Sequence, residues 1–196
     1  MGRVGAVLIA MMLASCGTSE PTPLASEATP PERPQIPPGW VTVTSVVRDV
    51  ELAVPPDMVQ VGPDAPSGIL LQAAMIGGVT PLQVWAHGPS ELPEQPASGE
   101  SLRSWLERGA WFPVEGQGGV AAIGDVSERV VLLPAGRALE VAGTAQPGTP
   151  EESRVVAYAI ETEAGFAVLQ IVGPPAVLEG RGGELRLIPL LLRFSD

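Results

Sequence analysis

Between Ser153 and Pro175 the chain reads SRVVAYAIETEAGFAVLQIVGPP, two apolar runs separated by Glu161-Thr162-Glu163-Ala164-Gly165. Runs of β-branched and small apolar residues on either side of a short Gly-containing interruption spell a β-hairpin. In the first run Val155, Ala157 and Ala159 alternate with Val156, Tyr158 and Ile160, so both faces are apolar. A strand of that kind needs cover on both sides. At least part of the sheet must therefore be the middle layer of the fold.

The rest of the carboxy-terminal four-fifths supplies more strands than helices. Val41, Val43, Val50, Leu52 and Val54 recur at period two, and Pro55-Pro56-Asp57 closes that run with turn chemistry. Further strands are expected over Gly68 to Met75, Pro81 to His87, Val120 to Asp125, Arg129 to Leu133 and Leu139 to Thr144. One mid-chain helix is expected in SGESLRSWLERG, with Ser98 as its N-cap, Leu102, Trp105 and Leu106 on its apolar face and Gly109 beyond its end. ELRLIPLLLRFSD predicts a terminal helix packed on the sheet, with Pro189 in or near its first turn. The class is α+β: a mostly antiparallel sheet packed with a few helices.

The amino-terminal part is of another kind. After Arg3 an apolar stretch runs from Val4 to Leu13, about half of the roughly 20 residues that span a bilayer. Such a run can engage a translocon but cannot remain as an anchor. Leu13-Ala14-Ser15-Cys16 follows and resembles the bacterial lipobox, in which the cysteine is acylated and becomes the first residue after cleavage. The resemblance implies a lipoprotein signal peptide over residues 1–15 and a lipid at Cys16, the only cysteine. The alternative is an ordinary leader with an incidental cysteine. Acyl chains at Cys16 would hold the protein to a membrane, since each buried methylene contributes about 0.8 kcal/mol. The protein is then extracytoplasmic, lipid-anchored to the cell membrane, or to the outer membrane if the cell has one. Residues 17–38, rich in proline and poor in apolar side chains, read as a disordered linker, which together with Cys16 makes up residues 16–38. Residues 39–196 are expected to form a single α+β domain.

In that domain VELAVPPDM, a central helix, LPAGRALEV, VVAYAIETEAGFAVLQIVGPP and a final LLLRF follow one another in an order similar to the PsbP-like fold. That family includes the extrinsic photosystem II protein and LpqN-type lipoproteins. The resemblance implies an antiparallel sheet between helical layers and a role in binding or assembly. It brings no catalytic motif onto these positions.

Recognised chemistry is scarce. With a formal charge of −11 the chain repels phosphate backbones, so nucleic acid is not an expected partner. There is no lysine, which removes amine nucleophiles. His87 is the only histidine, placed ahead of Gly88-Pro89 where a solvated turn residue or a structural one is expected. No G-x-S-x-G elbow occurs, and Ser67 and Ser90 fall in turns. One histidine without a free thiol makes zinc implausible, and no calcium-loop run of acids is present. The Gly-rich stretches at 116–119 and 180–183 read as plain loops, and Glu151, Glu152, Glu161 and Glu163 as solvated charges. No catalytic residue, metal or cofactor is expected. Trp105 belongs to the core, whereas Trp111 and Phe112, just past the helix, are the candidates for an exposed partner-binding patch. The functional expectation is a non-enzymatic binding or assembly module of the cell envelope, whose partner is an envelope protein or ligand. A carrier of a lipid or small apolar ligand and an envelope hydrolase using carboxylates are the alternatives.

Overall fold

The computed structural model describes residues 29–45, 50–60, 68–73 and 82–194. The expected signal peptide, Cys16, the linker up to residue 28 and Ser67 lie outside the described residues. So do the expected strand ends at Met75 and Pro81.

In chain order the elements are β1 (Val41–Thr44), β2 (Val50–Val54), β3 (Met58–Gln60), β4 (Ile69–Ala73) and β5 (Gln83–His87). A 3₁₀ turn, Pro89–Glu91, and helix α1 (Leu102–Arg108) follow. Then come β6 (Ile123–Leu133), β7 (Gly136–Ala145), β8 (Ser153–Thr162) and β9 (Gly165–Gly173). The chain closes with α2 (Pro175–Gly180), α3 (Gly182–Leu185), α4 (Ile188–Leu191) and the two-residue strand β10 (Arg193–Phe194). Seven strands form one sheet in the order β3-β4-β5-β9-β8-β7-β6, and β1, β2 and β10 form a smaller one with β2 central. Every neighbouring pair is antiparallel. The expected α+β class with a mostly antiparallel sheet is the observed one.

The 153–175 hairpin forms β8 and β9, with a tighter turn than the sequence suggests. Glu161 still pairs with Phe166 and Thr162 with Gly165, leaving Glu163-Ala164 as the loop. The Thr162 hydroxyl donates to the Gly165 carbonyl at 2.8 Å, which holds that turn. Its two faces are both covered. Val155, Ala157, Ala159 and Val168 pack beneath Trp105 and Leu106 of α1 and Phe112. On the opposite face Ile160, Leu169 and Ile171 join Leu52 and Val54 of β2 and Ile188 and Leu192 at the chain end. Each fully buried large side chain of these layers contributes about 1.5–3 kcal/mol.

Four expectations change in detail. Ile123 to Asp125 and Arg129 to Leu133 are not parts of two strands but of one, β6, whose register shifts between Gly124 and Ser127 and absorbs the break, while Val120 to Ala122 precede it. The N-cap of α1 is Ser101, not Ser98: the Ser101 Oγ accepts from the Ser104 backbone N–H at 3.1 Å. Glu100 instead accepts from the Ala97 N–H at 2.9 Å and from the Arg108 guanidinium. The expected terminal helix is not continuous: from Glu184 on, the chain holds the end of α3, all of α4 and then β10. Pro189 lies in the first turn of α4, where its missing N–H costs nothing, and so marks a new start rather than a continuation. The stretch at 180–183, expected as a loop, is wound into the end of α2 and the start of α3. Phe194 pairs with Val50 as part of β10.

Candidate functional site

A cleft of about 680 Å³ remains between α2–α3 and the floor made by β6, β7 and β8. Strand register builds the floor row by row. Arg129, Glu140 and Tyr158 stand abreast in one row, and Ser127, Ala142, Val156 and Ile171 in the next. Arg154 lies two residues further along β8, on the same face because side chains alternate along a strand. Leu178 and Glu179 of α2, with Gly182 and Leu185 of α3 and then Arg186, form the wall. That wall is fastened by Arg181 between α2 and α3. Its guanidinium donates to both Asp57 carboxylate oxygens at 2.9 Å and to Glu184 at 2.9 Å, tying the helices to the turn after β2.

The charged groups of the cleft differ in what they already hold. The Arg129 guanidinium donates to both Glu140 oxygens, at 2.7 and 3.0 Å. Burial, reinforced by the Glu140 charge and a hydrogen bond to it, pushes the Tyr158 phenol well above its usual range. Glu140 is thus engaged by two partners and serves to order the floor. The guanidinium groups of Arg154 and Arg186 have no ion pair or hydrogen bond to any other described residue. Most other arginines are neutralised: Arg103 by Glu107 and Glu128, Arg108 by Glu94 and Glu100, and Arg193 by Glu51. The cleft therefore offers two available guanidinium groups above an aliphatic floor.

A second unusual place lies on the other face of the sheet. The β5 register sets His87 opposite Val168 and Trp85 opposite Gln170. His87 is only 5% exposed, so it is not the solvated turn residue that its position before Gly88-Pro89 suggests. The Trp111 ring packs on it at 4.6 Å with a 53° tilt, and Trp85 lies parallel at 6.3 Å. Both imidazole nitrogens are buried without a hydrogen-bond partner, and burial lowers the pKa to about 4. Beside it in sequence, buried Glu91 accepts from the Gly88 N–H through Oε2 at 2.8 Å, while its Oε1 has no partner. With neither ring nitrogen hydrogen-bonded, His87 lacks the orienting contact that a general base uses.

The expected patch at Trp111 and Phe112 divides. Phe112 is fully buried, so the expectation of exposure is wrong there. Ala110, at a φ of 60°, turns the chain back under α1, and the Trp111 and Phe112 N–H groups both donate to the Leu106 carbonyl. The Phe112 ring then drops onto β7 at Gly143, where an added Cβ would lie 2.9 Å from the ring, and the Arg103 guanidinium covers it at 5.5 Å. A glycine inside β7 is the sequence signal for that close approach. Trp111 is half-buried, held by the Gln170 side-chain N–H donating to its carbonyl at 2.6 Å. Trp105 is core, as expected, with its indole N–H donating to the Glu94 carbonyl at 3.2 Å. Among the described residues no group of three acidic, histidine or cysteine side chains is arranged to hold a metal, and no helix is long and apolar enough to cross a membrane.

No protein-family model and no curated protein sequence matches the chain. Among solved structures the fold is similar to cyanobacterial PsbP (CyanoP) from Synechocystis sp., with a TM-score of 0.53 at 9% sequence identity. The match covers 88% of this chain and 99% of that one. At that identity the likeness is one of fold: the domain has a PsbP-like α+β fold.

Proposed function

We propose that the chain is an extracytoplasmic lipoprotein, held to a membrane by lipid on Cys16, whose PsbP-like domain is a non-enzymatic binding or assembly module of the cell envelope. The anchoring half of this reading rests on the order of Val4 to Leu13, Leu13-Ala14-Ser15-Cys16 and the proline-rich linker. The observation that carries the binding half is the cleft between the sheet and α2–α3, whose volume falls within the range of about 300–1,000 Å³ usual for ligand sites. The groups it presents support recognition rather than chemistry. Two arginines are free to bind, while Glu140 is tied to Arg129 and Tyr158.

Two measurements test the two halves separately. Cys16→Ala should move the protein from the membrane fraction to the soluble fraction of cells or block its processing. Unchanged membrane retention with normal processing would refute the anchor. A photo-crosslinking residue at Gly182, on the cleft wall, should give adducts in intact cells that the same residue at exposed Val59, on an edge strand, does not. Equal labelling at both positions would refute the cleft as the binding surface.

A further inference from the structure

We infer that the cleft binds an amphiphilic anion, with a carboxylate- or phosphate-type head on Arg154 and Arg186 and an aliphatic chain lying over Val156, Ile171, Leu178 and Leu185. The inference rests on the binding-module reading and names the ligand class of its site. Charge gives the first argument. The chain has 22 acidic side chains against 11 basic ones, so its surface as a whole disfavours anions. Within the cleft the balance reverses, with Arg129, Arg154 and Arg186 against Glu140 and Glu179. Arg129 already neutralises Glu140, which leaves two guanidinium groups facing the one remaining carboxylate.

The type of cation gives the second. A guanidinium donates two parallel N–H bonds to a carboxylate or phosphate, and two of them on opposite sides of a cleft can grip one oxyanion. Arg154 rises from the floor on β8, and Arg186 follows α3 on the wall. The floor gives the third. Val156 of the floor and Leu178 of the wall are half-buried, with Ala142, Ile171 and Leu185 buried around them, so an apolar chain would complete a surface that the fold leaves partly open. A wholly apolar ligand would leave both arginines unmatched, and a small inorganic anion would leave the aliphatic surface uncovered. Arg137, the other unpaired arginine of the sheet, lines a separate pocket of about 190 Å³ beside Glu161 and does not enter this site.

The test uses the full-length chain carrying Cys16→Ala, so that no attached acyl chain competes, and isothermal titration calorimetry with five probes. Decanoate and decyl phosphate share the chain and differ in head; decanol keeps the chain alone; acetate and inorganic phosphate keep the heads alone. Saturable binding of decanoate or decyl phosphate is expected, at least about tenfold tighter than decanol or either free head, and the stronger of the two identifies the head. Arg154→Gln and Arg186→Gln should each weaken that binding by about tenfold or more. Both side chains are exposed and unpaired, so unchanged thermal unfolding is the control for intact folding. Decanol binding as tightly as decanoate, affinity indifferent to both substitutions, or no binding of either anionic amphiphile overturns the inference. Those outcomes leave the module reading to its own tests, because crosslinking from Gly182 and release by Cys16→Ala do not depend on the ligand's chemistry.

Discussion

Mild acid should destabilise this protein through one residue, His87. In an unfolded chain its imidazole titrates near 6.5, whereas burial in the fold lowers that value to about 4. No charged neighbour contributes; the ring is shut between Trp85 and Trp111, against Gly68, with neither nitrogen hydrogen-bonded. Between these two pH values the unfolded state holds the proton and the folded state does not. Stability therefore falls as pH falls from about 6.5 towards 4 and is unaffected by this group above 7. The gap between 6.5 and about 4 corresponds to about 3 kcal/mol of preference for the neutral ring, at roughly 1.4 kcal/mol per pH unit. About 2.5 kcal/mol of it should be lost between pH 7.5 and pH 4.5. That is a sizeable share of the 5–15 kcal/mol or so typical of a domain.

The assay is urea unfolding of the wild type and of His87→Phe at those two pH values. Other titrating groups contribute equally to both proteins, so the difference between their pH responses isolates the imidazole. With a urea dependence of about 1–3 kcal/mol per molar, the wild-type midpoint should drop by about 1–2 M more than that of the variant. The carboxylate of Glu100 acts in a different window. The Arg108 hydrogen bond, then the Ala97 N–H, lower its pKa to about 2, so what it adds is present above about 4.5 and is lost only towards pH 2. Because His87 is the only histidine, its ring protons can also be followed alone by NMR. Equal losses in wild type and variant, or an imidazole titrating near 6.5 in the folded protein, would refute burial of an unpartnered ring.

Two further substitutions test the packing that frames the faces of the sheet. Gly136 opens β7 after the Pro134-Ala135 turn at a φ of 146°, and a Cβ there would lie 2.0 Å from the Glu161 carbonyl oxygen on β8. Gly136→Ala should cost more than about 2 kcal/mol in thermal or urea unfolding, and a neutral result would show that the β7–β8 approach is looser than described. Phe112→Ala empties a fully buried site against Gly143 and should cost about 3–5 kcal/mol. A cost below about 1 kcal/mol would mean that the ring is on the surface after all.

What was legible in the sequence is what local pattern controls. The β8–β9 hairpin follows from two apolar runs and a glycine-bearing turn, and the double-faced burial follows from Val155 to Ile160 being apolar on both sides. Trp105 is core because it lies on the apolar face of α1. The failures share a cause: a neighbour distant in sequence decided the outcome. Of the two readings that His87 allowed beside Gly88-Pro89, the solvated one fails because Trp111, from the segment after α1, closes over the ring. Phe112 looked free after a helix end, but it is received by Gly143, 31 positions along the chain. The terminal helix broke where Pro189 met the need to return Arg193 and Phe194 to β2.

The cleft shows why a fold can be read from a sequence more readily than a site. Its floor takes residues at alternating positions from four strands, and its wall comes from two short helices in a stretch that reads in the sequence as a loop before the terminal helix. No spacing motif links Arg129, Arg154 and Arg186; antiparallel register and the turn between α2 and α3 bring them together. A search for recognised catalytic or metal-binding spacings therefore passes over them. What marks them out is visible only in the structure: in a chain this acidic, with no lysine and with Arg103, Arg108, Arg129, Arg181 and Arg193 matched by nearby carboxylates, an arginine without a partner stands out. Two such arginines facing one aliphatic floor make the cleft a place where an anion can displace water from the guanidinium groups without displacing a carboxylate of the protein itself.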